Sequence, residues 1–112
     1  MAPDSTDADV RVALSTAPDE DVAARIARAL VDERLAACAN LVPSVRSIYR
    51  WQGAVEDARE VLMVIKTRAD RVDALAERLR ALHPYDVPEL VVLPLAGGLA
   101  AYLDWVRAET QP

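Results

Sequence analysis

The sequence contains no phenylalanine, and aromatic residues make up only 4% of the chain. Its core must therefore be built from Ala, Val, Leu and Ile, so each of the two Trp and three Tyr needs a reason of its own. A single cysteine excludes an intrachain disulfide and suits a reducing compartment, so we expect a cytoplasmic protein. No apolar run approaches the ~18 residues that a membrane span requires, and we therefore expect no membrane partner.

The charge balance is acidic, with a formal net charge of −5 at pH 7. Binding to a nucleic acid requires a basic field, so we expect no nucleic-acid partner. Hydrophobic residues (53%) and charged residues (28%) occur in globular proportions, and 112 residues predict one domain. Residues 1–9 are small, polar and acidic and lack the parts of a signal peptide. This predicts a disordered tail followed by a domain over residues 10–108.

Two segments have the apolar spacing of amphipathic helices. The first ends near Arg34, and the second places Leu75 and Leu79 on one face. Asp70 precedes the second helix and is a candidate N-cap. A last, short helix is predicted at residues 99–107, after a pair of glycines.

Two short strands complete the regular pattern. Residues 10–16 alternate, which predicts a half-buried strand with Val10, Val12 and Leu14 on the buried face. Residues 89–93 form a short apolar run framed by prolines and predict a strand near the end of the domain.

The longest extended region predicts a hairpin from residues 45–51 and 55–67 around a turn at Gly53. Pro43 predicts a bend or an edge strand, because proline cannot donate to a strand ladder. The resulting order β-α-β-β-α-β plus a C-terminal helix predicts an α+β, ferredoxin-like sandwich. A hairpin that extends past its sheet exposes backbone edges that another subunit usually covers, so we expect an oligomer.

The only histidine, His83, is a candidate metal ligand. It precedes a proline at the end of the second helix, and Tyr85, Asp86 and Glu89 supply polar neighbours. The alternative is that the ring caps the helix or packs in place.

The only cysteine, Cys38, is a candidate reactive thiol or soft metal ligand. The alternative is a small hydrophobic residue, since it lies in an apolar stretch. The motifs that would indicate an enzyme are missing. The sequence offers no Ser-His-acid set in a supporting context, no Gly-rich phosphate loop and no CxxC motif, so we expect a binding protein.

The hairpin supplies a candidate small-molecule cleft. Tyr49 and Trp51 share one face of the predicted strand and can line such a cleft or pack a subunit interface. Lys66 ends an apolar strand and needs a carboxylate partner, for which Glu60 and Glu89 are candidates. Lys66 would then be a structural pair or an anion-binding group.

Six blocks of residues, in this order, resemble the CutA divalent-cation-tolerance family. They are Ser15-Thr-Ala-Pro18, Leu35-Ala-Ala-Cys-Ala-Asn40, Ser47-Ile-Tyr-Arg-Trp51 with Gly53, Lys66-Thr67, His83-Pro-Tyr85 with Val87-Pro-Glu89, and Tyr102-Leu-Asp-Trp105. The resemblance implies a homotrimer of ferredoxin-like subunits, similar in build to PII signalling proteins, with hairpins paired across subunits. It also implies a role in the response to divalent metal ions, copper above all.

The proposed copper ligands of the family transfer only in part. They are a Cys before the Thr-x-Pro block and a tandem His-His before Pro-Tyr, but Ser15 and Leu82 stand at two of these positions and only His83 matches. We therefore expect weak or absent specific copper binding and assign no obligatory cofactor, with copper or another divalent cation as the candidate ligand. The leading hypothesis is a divalent-cation tolerance protein.

The alternative hypothesis is a PII-like trimeric sensor. It would bind a small anion or metabolite in an inter-subunit cleft near His83, lined by Tyr49, Trp51, Lys66 and Glu89.

Overall fold

Four strands and three helices succeed one another in residues 9–112, the part of the chain that the computed structural model describes. They are, in chain order, β1 (Val10–Ala17), α1 (Glu20–Asp32), β2 (Cys38–Trp51), β3 (Ala54–Arg68), α2 (Val72–Leu82), β4 (Val91–Pro94) and α3 (Ala100–Glu109). The strands form one antiparallel sheet in the order β2-β3-β1-β4. This confirms the predicted α+β, ferredoxin-like fold with its C-terminal helix.

The predicted N-terminal tail lies outside the described residues, apart from its last residue, Asp9. The carbonyl of Asp9 accepts a hydrogen bond from the N–H of Ala69 at 2.8 Å. At the other end of the domain, β4 begins at Val91, two residues later than the sequence predicts. No helix within residues 9–112 is long and apolar enough to cross a membrane.

The two long helices begin in different ways. The carboxylate of Asp19 caps α1 by accepting a hydrogen bond from the N–H of Val22 at 2.9 Å. The cap predicted at Asp70 is wrong, because both of its carboxylate oxygens accept hydrogen bonds from the guanidinium of Arg68, at 2.9 and 2.6 Å. α2 instead continues from a 3-10 turn over Ala69–Arg71 and has no side-chain cap.

The core lies between the sheet and the helices α1 and α2. Its large, fully buried side chains are Ile26, Leu30, Met63, Ile65, Leu75 and Leu79. The predicted burial of Leu75 and Leu79 is confirmed, since residues four apart lie on the same face of a helix.

β1 turns toward α1 and α2 the face opposite to the one that the sequence predicts as buried, and of the predicted residues only Val10 is buried, beneath α3. Ala13, Ser15 and Ala17 are fully buried on the helix side, whereas Val12 and Leu14 lie on the other side of the sheet. Both faces alternate with a period of two, so spacing alone does not distinguish them. The small side chains face the helices because α1 also presents buried alanines and packs close to the sheet.

The sheet face that turns away from α1 and α2, called the open face below, is apolar and only partly covered. Its apolar residues are Val10, Val12, Leu14, Val42, Leu62, Val64, Val91 and Leu93. α3 covers one end of this face, where Val106 packs with Val10 and Ala37. Elsewhere on this face, three of the apolar residues are exposed, namely Val42, Val91 and Leu93.

The strands β2 and β3 are longer than the sheet to which they belong. β1 pairs only with residues 61–68 of β3, so residues 45–60 continue beyond the sheet as a two-stranded ribbon, called the ribbon below. The ribbon contributes to an elongated molecule of 46 × 28 × 24 Å.

The ribbon begins at a bulge and ends at a tight turn. The register of β2 shifts between Val42 and Val45, which confirms the bend predicted at Pro43. The turn residues Gln52 and Gly53 have φ angles of 49° and 83°. A two-residue hairpin turn of this kind needs positive φ at both positions.

Replacing Gly53 by alanine should destabilise the protein by about 1 kcal/mol, because a side chain at positive φ lies too close to the neighbouring carbonyl. Gly97→Ala is a matched control, since a new Cβ at either position meets no atom within 4 Å. Gly97 lacks the positive φ, so its substitution should leave stability unchanged or slightly higher. Urea unfolding at one protein concentration measures both variants, and equal effects would contradict the conformational argument.

Candidate functional site

A cleft of about 680 Å³ opens between the ribbon and the loop that connects α2 to β4, and is called the cleft below. It is lined by Thr16, Ser47, Ile48, Tyr49, Trp51, Glu60, Pro84, Tyr85, Asp86, Val87 and Glu89. The ribbon supplies the aromatic side, and the loop supplies Tyr85 and two carboxylates. The volume lies within the ~300–1,000 Å³ that small-molecule sites usually occupy.

Three of the four predicted cleft residues meet here, and one does not. Tyr49, Trp51 and Glu89 line the cleft, but Lys66 lies on the open face further along β3. The Nζ of Lys66 donates a hydrogen bond to the side-chain oxygen of Asn40. The predicted carboxylate partner of Lys66 is therefore wrong. Glu60 lies about 20 Å away along the same strand at ~3.3 Å per residue, and Glu89 lines the cleft, which Lys66 does not.

His83 is held by hydrogen bonds at both ring nitrogens. Its Nε2–H donates to the carbonyl of Thr16 at 2.7 Å, and its Nδ1 accepts from the N–H of Tyr85 at 3.1 Å. His83 is the C-cap residue of α2 and is only 7% exposed. Its ring packs against the ring of Tyr85 at a centroid distance of 4.7 Å. A metal ion could bind His83 only by displacing one of these hydrogen bonds. The geometry thus favours the helix-end role that the sequence left as an alternative.

Tyr85 and Glu60 form a partly buried contact at the base of the ribbon. The hydroxyl of Tyr85 donates to Oε2 of Glu60 at 2.6 Å, and Glu60 is only 6% exposed. Burial raises the pKa of Tyr85 well above its ordinary value, and the hydrogen bond to the Glu60 carboxylate raises it further. The phenol therefore stays protonated and ties the loop to the ribbon. No local sequence signal links two residues this far apart.

Ser15 and Glu89 form a second connection between β1 and the loop. The hydroxyl of Ser15 donates to the backbone carbonyl of Glu89 at 2.7 Å, and Ser15 is fully buried. Thr16 adds a long contact, at 3.5 Å, from its hydroxyl to Oε1 of Glu89. Ser15 thus holds the loop in place. In the family that the sequence resembles, a copper ligand is proposed at this sequence position.

Cys38 lies away from the cleft, on the open face beneath α3. Its Sγ is partly buried and lies 3.7 Å from Oδ1 of Asn40. Burial, together with the neighbouring thiol of Cys38, raises the pKa of the Tyr102 hydroxyl. The reactivity of the thiol stays a prediction.

The charged groups that line the cleft are all acidic. They are Glu60, Asp86 and Glu89, and no lysine or arginine is among the lining residues. A cleft lined by carboxylates raises the local concentration of cations and disfavours anions.

Replacing Tyr85 by phenylalanine should lower stability at pH 7 by about 1–3 kcal/mol, because the buried carboxylate of Glu60 loses its donor. Tyr49→Phe, which removes a hydroxyl from an exposed ring, should have little effect. The difference in the free energy of unfolding between wild type and Tyr85→Phe should shrink as the pH rises above about 10. The unfolded phenol then ionises while the folded one does not, so the wild type alone loses this contribution. Urea unfolding from pH 7 to 11 measures this trend, and a constant difference would contradict it.

Residues 11–109 match the family described as CutA1 divalent ion tolerance protein. The chain is 56% identical over 99 residues to the divalent-cation tolerance protein CutA of Thermus thermophilus, which covers 88% of this chain and 96% of the relative. It is 50% identical over 102 residues to Protein CutA of Homo sapiens, which covers 91% of this chain and 57% of the human protein.

Solved structures show the same similarity. CutA from Xylella fastidiosa gives a TM-score of 0.90 at 46% identity, covering 92% of this chain and 99% of that chain. The divalent cation tolerance protein from Thermus thermophilus gives a TM-score of 0.89 at 54% identity, covering 91% and 99%. By sequence and by structure, this chain belongs to the CutA1 divalent ion tolerance protein family.

Proposed function

We propose that this chain is a cytoplasmic, homotrimeric cation-binding protein without enzymatic activity, which acts in the response to divalent metal ions. The observation that carries the proposal is the acidic cleft. Its lining carries the carboxylates of Glu60, Asp86 and Glu89 and has no basic residue to neutralise them. The family description, divalent ion tolerance, agrees with a site that attracts cations.

Metal binding at this cleft should be weak and should not depend on copper-specific ligands. Copper selects thiolate or clustered imidazole. Ser15 is instead a buried hydroxyl that donates a hydrogen bond to Glu89, and both ring nitrogens of His83 already form hydrogen bonds. Within residues 9–112, no group of three or more His, Cys, Asp or Glu is arranged to hold a metal ion. We therefore assign weak binding to the exposed carboxylates of Asp86 and Glu89.

Calorimetric titration with Cu²⁺ should show weak binding that the double variant Asp86→Asn, Glu89→Gln lowers by tenfold or more, since each carboxylate attracts a divalent ion by about 2 kcal/mol at 4 Å in water. The matched control is Asp73→Asn, Glu77→Gln, which removes one Asp and one Glu from the exposed surface of α2. Two outcomes would contradict this assignment. One is an equal loss of Cu²⁺ binding in the control variant, and the other is a loss of Cu²⁺ binding that occurs only in His83→Ala.

The trimer is supported by two unpaired surfaces of the subunit. The open face leaves Val42, Val91 and Leu93 exposed, and a contiguous apolar surface of this kind marks an interaction site. The ribbon adds two strand edges that the sheet of its own subunit does not cover. We propose that neighbouring subunits cover both, with the ribbons paired across subunits.

Light scattering should give three times the mass of the chain for the wild type, and Val42→Lys should reduce this mass on dilution. A lysine on the open face would bury a charge without a partner in the proposed interface. Val31→Lys is the matched control, because Val31 is 40% exposed and Val42 is 41% exposed, but Val31 lies on α1. A monomeric wild type, or equal effects of the two variants, would contradict the proposed interface.

A second candidate function is a PII-like sensor that binds a small anion or metabolite in an inter-subunit cleft. The size of the cleft and the exposed rings of Tyr49 and Trp51 favour a small molecule. An anion would need a basic residue from a neighbouring subunit, since Lys66 is bonded to Asn40 outside the cleft.

A further inference from the structure

We propose that the cleft binds an organic cation, an alkylammonium compound with two amino groups, and not only a metal ion. The inference rests on the proposed cation-binding role of the same cleft, and it names the chemical class that the lining fits best. Two independent features of the lining lead to it, the aromatic rings and the carboxylates that come from different elements.

The aromatic lining attracts organic cations more strongly than hydrated metal ions. Tyr49, Trp51 and Tyr85 all line the cleft, and both ribbon rings are 42% exposed. The negative face of an aromatic ring attracts an ammonium group, and the tryptophan ring attracts it more strongly than tyrosine or phenylalanine does. A divalent ion that keeps its water shell makes no such contact with a ring.

The carboxylates come from different elements, and within residues 9–112 they form no chelating group. Glu60 lines the buried base of the cleft, where Tyr85 occupies its Oε2. Oε1 of Glu60 accepts no hydrogen bond from residues 9–112 and can accept one from a ligand. Asp86 and Glu89 are exposed and belong to the loop, on the opposite side of the cleft from the ribbon.

This arrangement distinguishes between the two kinds of cation. A divalent ion needs several oxygen atoms within about 2.6 Å, and the described residues form no group that supplies them. A diamine carries its two charges on opposite ends of an alkyl chain. One ammonium group can then bind Glu60 while the other binds Asp86 or Glu89, and the chain lies against the rings.

The test uses three compounds with the same four-carbon chain and the whole protein. Butane-1,4-diamine should bind saturably in calorimetry, whereas butane-1,4-diol should not, because it lacks the charge. Butanedioate carries the opposite charge and represents the anion expected of a PII-like sensor. Binding of the diol equal to that of the diamine, or binding of butanedioate alone, would overturn the inference.

Tryptophan fluorescence locates the binding, because the chain has two tryptophans and only Trp51 lines the cleft. Trp105 is also 42% exposed but lies on α3, so Trp105→Leu leaves Trp51 as the single reporter. Butane-1,4-diamine should change the fluorescence of Trp105→Leu and not that of Trp51→Leu. It should also bind Trp51→Leu about fivefold more weakly, as the loss of one exposed cation–π contact predicts. A fluorescence change confined to Trp51→Leu would place binding elsewhere and overturn the inference.

A parallel titration with Cu²⁺ separates this inference from the proposed function. Cu²⁺ binding that depends on Asp86 and Glu89, without any diamine binding, would overturn the inference and leave the proposed function standing. Diamine binding without Cu²⁺ binding would support the inference and contradict direct metal binding. Competition between the two cations is expected, since both use the carboxylates of the loop.

Discussion

The difference in length between β1 and β3 is the constraint on which the other features of this fold depend. β3 has 15 residues, but β1 covers only its last eight, so the ribbon extends past the sheet. The ribbon then lacks the packing that the core gives to the rest of the sheet. It is stabilised by its own ladder, by its tight turn and by the loop that packs at its base. The same extension creates the cleft and exposes the strand edges that a neighbouring subunit can cover.

The loop between α2 and β4 keeps its position through buried polar contacts. His83 bonds to the carbonyl of Thr16, Ser15 bonds to the carbonyl of Glu89, and Tyr85 bonds to Glu60. Each contact joins the loop to a different part of β1 or the ribbon, and buried polar groups are costly to leave without partners. His83, the candidate metal ligand in the sequence, is therefore one of the residues that fix the cleft wall. The exposed side chains beside them remain available to a ligand.

The sequence predicts the elements better than their contacts, and the physical reason differs from case to case. Helical spacing identifies Leu75 and Leu79 because one face of α2 is apolar and the other is not. In β1 both faces are apolar or small, so the pattern cannot show that Ala13 and not Val12 faces the helices. The sequence pattern also cannot predict the Tyr85–Glu60 contact, because this contact depends on where the loop packs against the ribbon. The cleft could be anticipated from Tyr49 and Trp51, but its acidity could not, because Lys66 lies on a strand segment outside it.

The contacts around the cleft also bear on the proposed cation-binding role, which does not rely on the copper ligands proposed for the family. A serine hydroxyl serves at position 15 because it donates to a backbone carbonyl at 2.7 Å and is sealed from solvent. Copper selects a thiolate or an imidazole, and a neutral serine hydroxyl supplies neither, so Ser15 contributes to the position of the loop instead. The proposed cation binding would then rest on charge and shape, through the carboxylates and the faces of the aromatic rings. Such a site would select a ligand by the spacing of its positive charges and by its apolar chain, so its selectivity would depend on the width of the cleft, which the loop and the ribbon set together.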